Sequence, residues 1–135
     1  MRKIVAIYIF FNLLIYYSCT LEKEKMSDPL VGKWNARWEL INPEMINIFE
    51  PDQMIMHGEV IFNQDNYAKI RAFGFEGCAF TSDTSENQLI YKKNDSTINL
   101  LNSNNEVIFS YFIKDEGIDF VQLLLMDDIE LTLTR

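Results

Sequence analysis

Few side chains in this sequence are equipped for chemistry, and they do not cluster. Its thiols are Cys19 and Cys78, and its one imidazole is His57. Cys19 sits in a polar Ser18-Cys19-Thr20 step directly after an apolar run, whereas Cys78 lies far downstream in Gly77-Cys78-Ala79. A lone His and a distant Cys supply no nucleophile with its base, and no Cys/His grouping has zinc-ligand spacing. The serines, as in Thr81 to Ser85, lack a nucleophile-elbow motif, and no phosphate-cradling glycine loop is present. Asp115-Glu116 and Asp127-Asp128 suit polar turns better than a carboxylate dyad. The expectation is a protein that is not an enzyme, with no catalytic residue, metal or cofactor. His57 falls on the face opposite Met54, Met56 and Val60 and is expected to point at solvent.

Cys19 is the residue whose position implies chemistry. The chain opens with basic Arg2-Lys3, then runs apolar from Ile4 to Tyr17 with one break at Asn12. That run is short of the roughly 20 residues of a membrane-spanning helix. It fits the apolar region of a signal peptide, typically about 7–15 residues. Residues 1–18 are therefore expected to be a secretory signal. The segment Leu14-Ile15-Tyr16-Tyr17-Ser18-Cys19 resembles the bacterial lipobox, in which a small residue precedes the lipid-modified cysteine. Ser18 matches; Tyr16 and Tyr17 stand where the common pattern has Leu and a smaller residue. The resemblance implies a diacylglyceryl thioether on Cys19 and usually an amide-linked third chain such as palmitate. Several chains together make a stable anchor, where one alone is marginal. Thr20, where an aspartate would signal inner-membrane retention, implies an outer-membrane lipoprotein on either the periplasmic or the surface face. Two cysteines in an exported protein also suggest a disulfide. A bridge from Cys19 would tie the tip of the tail to the domain, whereas acylation leaves Cys78 a free thiol packing as a small hydrophobe.

Cleavage after Ser18 leaves 117 residues (135 − 18) and removes Arg2 and Lys3, taking the formal net charge from −8 to −10. That length holds one core. The acidity argues against nucleic acid, which demands clustered Lys and Arg, and against adhesion to anionic lipid. Residues 19–29 form a short polar tether ending at Pro29, and residues 30–135 form the domain.

Within the domain, strand follows strand. Trp34, Ala36, Trp38 and Leu40 alternate with polar neighbours, the period-two signature of a half-buried strand. Further strands are expected at Met54 to Asn63, Tyr67 to Phe73, Cys78 to Thr81, Gln88 to Lys92, Ser96 to Leu101, Val107 to Lys114, Ile118 to Leu125 and Ile129 to Arg135. Polar turns such as Gln64-Asp65-Asn66 and Lys93-Asn94-Asp95 join them. Eight or nine short strands in this pattern make an antiparallel barrel or sandwich. One longer connection, Asn42 to Gln53, offers Asn42 as cap and Pro43 as first residue of a short helix. Its apolar residues would either plug one end of the core or form a lid over a cavity.

Leu30-Val31-Gly32-Lys33-Trp34 resembles the Gly-x-Trp motif of the lipocalin family, and the final Leu131-Thr132-Leu133-Thr134-Arg135 resembles the closing strand of small bacterial lipocalin-like lipoproteins. The likeness spans residues 30–135. It implies an all-β, up-and-down barrel of about eight strands, with Arg135 packed across Trp34 at the base. The family's middle Thr-Asp-Tyr-like motif is not evident here. An interior of Trp34, Trp38, Met54, Met56, Phe62, Val107, Phe109, Tyr111, Phe120 and Leu133 is expected. Of these, Trp38, Met54, Met56, Phe62, Phe109 and Tyr111 are candidates to line a site for a small hydrophobic ligand. A mostly filled interior with a shallow cavity at one end is the expectation. The alternative is an interaction or structural module of the cell envelope, docking a protein partner through outward aromatics such as Tyr67, Phe73 and Phe112.

Overall fold

A computed structural model of the chain describes residues 28–45 and 47–135. The expected signal peptide, Cys19 and most of the expected tether lie outside the described residues. Eight antiparallel strands follow one another: β1 (Gly32–Leu40), β2 (Ile55–Phe62), β3 (Tyr67–Phe73), β4 (Ser85–Lys93), β5 (Thr97–Leu101), β6 (Val107–Glu116), β7 (Phe120–Leu125) and β8 (Ile129–Thr134). Each pairs with the next, and β8 pairs back onto β1, from Asn35↔Thr134 to Leu40↔Ile129. The result is a closed up-and-down barrel in which every strand has a neighbour on both sides over part of its length. The described residues by themselves close the barrel and form a core.

Period-two alternation puts one side chain in two inside the wall. In β1 these are Trp34, Ala36 and Trp38; in β2, Met56, Gly58, Val60 and Phe62; in β7, Val121, Leu123 and Leu125, all buried. Small residues share one row: Ala36 pairs with Gly58 and Gly58 with Ala72. That row makes room for the indoles. A Cβ on Gly58 would lie 2.8 Å from Trp38 Cζ3 and 2.1 Å from the Arg71 carbonyl oxygen, so no side chain fits there.

The outer face is polar and laced with ion pairs. Lys33 pairs with Glu59, both Lys69 and Arg71 pair with Glu86, Lys93 with Glu116 and Lys114 with Glu130. A lipid-facing barrel wall would be apolar; this one is built to face water.

The two ends differ. The lower end holds the entry from Asp28, the loops 63–66, 94–96 and 117–119, and Arg135. The upper end holds the connections 41–54, 74–84, 102–106 and 126–128. Several expectations change here. Cys78 to Thr81 is not a strand: the 74–84 loop folds over the upper end, packing Cys78 and Phe80 against the core. Asn42 does make its local bond, accepting from the Glu44 amide at 2.9 Å, but the segment continues as turns. The helical piece is a 3-10 turn at Pro51–Met54, where Glu50 and Gln53 form a reciprocal capping box. Phe120 is half-buried and outside the odd-numbered inward set of β7; Phe-Val-Gln-Leu-Leu-Leu has too little alternation to reveal its own register.

Two outcomes are expected. Gly58→Ala should destabilise the barrel by about 1–3 kcal/mol through overpacking against backbone and indole; a urea midpoint equal to the parent's would contradict the packing described. The carboxyls of Glu59, Glu86 and Glu130 are held below their ordinary range, chiefly by hydrogen bonds from Lys33, Lys69 and Lys114 respectively. A depressed carboxyl contributes stability above its unfolded-state pKa and loses it as pH falls through the folded value. The melting temperature should therefore be flat near neutrality and decline on the acid side. The triple variant Glu59→Gln, Glu86→Gln, Glu130→Gln should blunt that decline, by little per pair because the pairs are exposed.

Candidate functional site

The lower end is closed by a small constellation around Trp34. Its indole N–H donates to the Leu30 carbonyl at 2.7 Å, and Leu30 is buried beneath the entry turn. The Arg135 guanidinium carbon lies 4.1 Å from the Trp34 ring centroid, a cation–π arrangement. The same guanidinium donates to the carbonyls of Pro29, at 2.7 Å, and Val31, at 2.9 Å. Gly32 has φ of 135°, a conformation L side chains rarely adopt, and it lets the chain pass close under Arg135. Phe62 meets Tyr91 edge-on with centroids 4.9 Å apart, and the Tyr91 hydroxyl donates to the Asn63 carbonyl. The indole N–H, the Tyr91 hydroxyl and one guanidinium nitrogen are all engaged, so the lower end is a closure.

The upper end is different. Trp38, Met54, Met56 and Tyr111 are buried there. Burial pushes the Tyr111 phenol up, so it stays neutral. Phe109 packs beside Tyr111, with centroids 6.4 Å apart. It shares the inward face, pairing with buried Leu100, yet it is 40% exposed.

β6 pairs with β7 only from Tyr111 onward, so Phe109 has a neighbouring strand on the β5 side alone, and β5 itself is short. That strand ends at Leu101 and pairs with β4 only from Ile90 to Lys93. The upper half of β4, Ser85 to Leu89, is paired with β3 alone. Asn87 pairs with Ile70 and Ser85 with Ala72, which turns both inward, yet both are exposed. Across the gap, β6 begins with Val107, which is 56% exposed and opposes Leu101 at a β-bulge. The wall is thus incomplete between upper β4 and the start of β6. Ser85, Asn87, Val107 and Phe109 rim the mouth, with Leu89, Leu100 and Tyr111 toward its floor.

This arrangement divides the six residues expected to line a ligand site. Trp38, Met54, Met56, Phe109 and Tyr111 lie in the upper half. Phe62 does not join them, because β2 carries it to the lower end against Tyr91. Phe109 and Val107 are rim rather than interior residues. Ser85, Asn87, Leu89 and Leu100 were not singled out by sequence; the signal for them was the brevity of the Thr97 to Leu101 run. His57 is exposed on the outer face, and Tyr67, Phe73 and Phe112 are exposed as well.

Among the described residues, no three His, Cys, Asp or Glu side chains group closely enough to hold a metal ion, and no helix is long and apolar enough to cross a membrane. Cys78 is a free, half-buried thiol. Compared with protein-family models, curated proteins and solved structures, the chain matches none.

The lower closure makes a direct prediction. Arg135→Ala should cost about 1–3 kcal/mol, combining the lost cation–π contact with two charge-assisted bonds to carbonyls. Arg135→Lys should restore only part of that, since an ammonium lacks the planar fork. Equal chemical stability of the parent and Arg135→Ala proteins would contradict the closure.

Proposed function

We propose that this chain is a membrane-tethered, lipocalin-like lipoprotein of the bacterial envelope that takes a small hydrophobic ligand at the upper mouth of its barrel. The observation that carries the reading is Phe109, a large apolar side chain turned toward the interior and left uncovered where β6 runs past the end of β7. Apolar concavities with a few polar groups at the rim are the usual form of small-molecule sites. Here Ser85 and Asn87 supply the polar rim. The family reading is supported by the lower end, where Gly32, Trp34 and Arg135 form the closure that the lipocalin resemblance implies.

The middle of the barrel limits what the ligand can be. Trp34, Val60, Val121, Leu123 and Leu133 are buried to within a few per cent and fill the space between the ends. A ligand would therefore sit at the mouth, over Leu100 and Tyr111, instead of threading the barrel. The chain enters at Asp28 on the lower end, so an anchor at Cys19 leaves the mouth facing away from its attachment. The residues between reach about 30 Å when extended, at ~3.3–3.6 Å per residue.

Two experiments test the two halves of the proposal. Native mass spectrometry of residues 20–135 should reveal a co-purified or added apolar ligand, and Phe109→Ala should lose it while melting within about 1 kcal/mol of the parent, as expected for a partly exposed side chain. No bound species, and no thermal stabilisation by any apolar compound, would sink the ligand reading. Separately, Cys19→Ser should abolish metabolic fatty-acid labelling and release the protein from membranes; labelling that persists would refute lipidation at this residue.

A further inference from the structure

The charges around the mouth select among hydrophobic ligands. The connection from β1 to β2 carries Glu44, Glu50 and Asp52, and the loop from β3 to β4 carries Glu76 and Asp83. The β5–β6 turn adds Glu106, and the β7–β8 turn adds Asp127 and Asp128. All four upper connections are thus acidic, and none contains a lysine or arginine. None of these eight carboxylates takes part in an ion pair among the described residues. Three accept from amides, Asp128 from Asn42, Glu106 from Asn102 and Glu50 from Gln53, bonds that leave their charge in place.

The cations nearest this end are already engaged. Arg37 is held by Glu39, and Lys69 and Arg71 are both held by Glu86. An anionic head group arriving at the mouth would meet a ring of like charge and no free cation. A positive one would be drawn in by the same ring, and the face of Phe109 offers it a cation–π contact. The apolar rim asks for a hydrophobic body; the loops ask for a positive head.

We infer that the ligand of the upper mouth is a cationic amphiphile, an alkyl or aromatic body carrying an amine or quaternary ammonium, and that fatty acids and other anionic lipids are discriminated against. The inference rests on the ligand reading proposed above. A cleft rimmed by one sign of charge raises the local concentration of its counter-ion by about tenfold or more at low ionic strength, so the ring favours a monocation over a monoanion.

Calorimetric titration of residues 20–135, checked for a cooperative melt, separates the two claims. The probes are decyltrimethylammonium, decanoate and neutral decanol, each below its aggregation limit. The cation should bind about tenfold or more tighter than decanoate, with decanol between, and the spread should narrow in high salt. The variant Glu76→Gln, Asp83→Asn, Glu106→Gln, Asp127→Asn should reduce the preference severalfold while leaving decanol affinity unchanged. Phe109→Ala should weaken all three probes. Decanoate binding as tightly as the cation, or a preference that survives the charge variant, overturns the inference and leaves the apolar mouth standing. Failure of all three probes to bind overturns the ligand reading and the inference with it. Cation binding unaffected by Phe109→Ala would mean adsorption to the acidic surface alone and would also overturn it.

Discussion

The width of an eight-stranded barrel is the constraint from which the other features follow. Such a barrel is just wide enough for its own side chains to fill it. Two inward tryptophans, Trp34 and Trp38, are more than the wall could accept if their neighbours were also large. The row Ala36–Gly58–Ala72 removes side-chain volume beside them, and Gly58 removes it altogether where the Trp38 ring crosses β2. With the indoles seated, the centre is solid. Anything the protein binds inside the wall must be bound at an end.

The ends divide the labour. At the lower one, the entering chain, Trp34 and Arg135 satisfy one another, and the guanidinium joins the last residue of the sequence to the carbonyls that precede β1. At the upper one, the 74–84 loop and the 3-10 turn cover part of the opening, linked by the Ala79 amide donating to the Gln53 carbonyl at 2.9 Å. On the side between β4 and β6, Ser85, Asn87, Val107 and Phe109 stay exposed. The opening there is a consequence of strand length. A five-residue β5 cannot pair with all of a nine-residue β4.

Much of the barrel was legible in the chain because alternation is a strong signal where one face is buried. Trp34, Ala36 and Trp38 declare their face at once, and His57 is assigned outward by parity with Met56. Legibility failed where alternation failed. The Phe-Val-Gln-Leu-Leu-Leu strand is apolar at five of its six positions, so only pairing with β8 decides that Val121, not Phe120, faces in. Cys78 to Thr81 looks strand-like in composition, but Gly74 and Gly77 turn it into a loop that packs by side chain alone. Inward parity made Phe109 an interior residue; its exposure depends on where a neighbouring strand stops, a non-local fact no window around Phe109 contains. The same holds for Phe62, whose parity is right but whose height in the barrel separates it from Trp38. The acid ring of the upper loops was visible as composition throughout, and acquired meaning only when topology brought four distant turns to one rim.

The central claim is that the barrel is solid in its middle and open only at the upper mouth. Intermolecular nuclear Overhauser effects between a decyl-chain probe and methyl-labelled protein test it most directly. The account predicts contacts to Leu89, Leu100, Val107 and the ring of Phe109, with none to Val60, Leu123 or Leu133. Contacts reaching Val60 or Leu133, or confined to the Trp34 end, would contradict it.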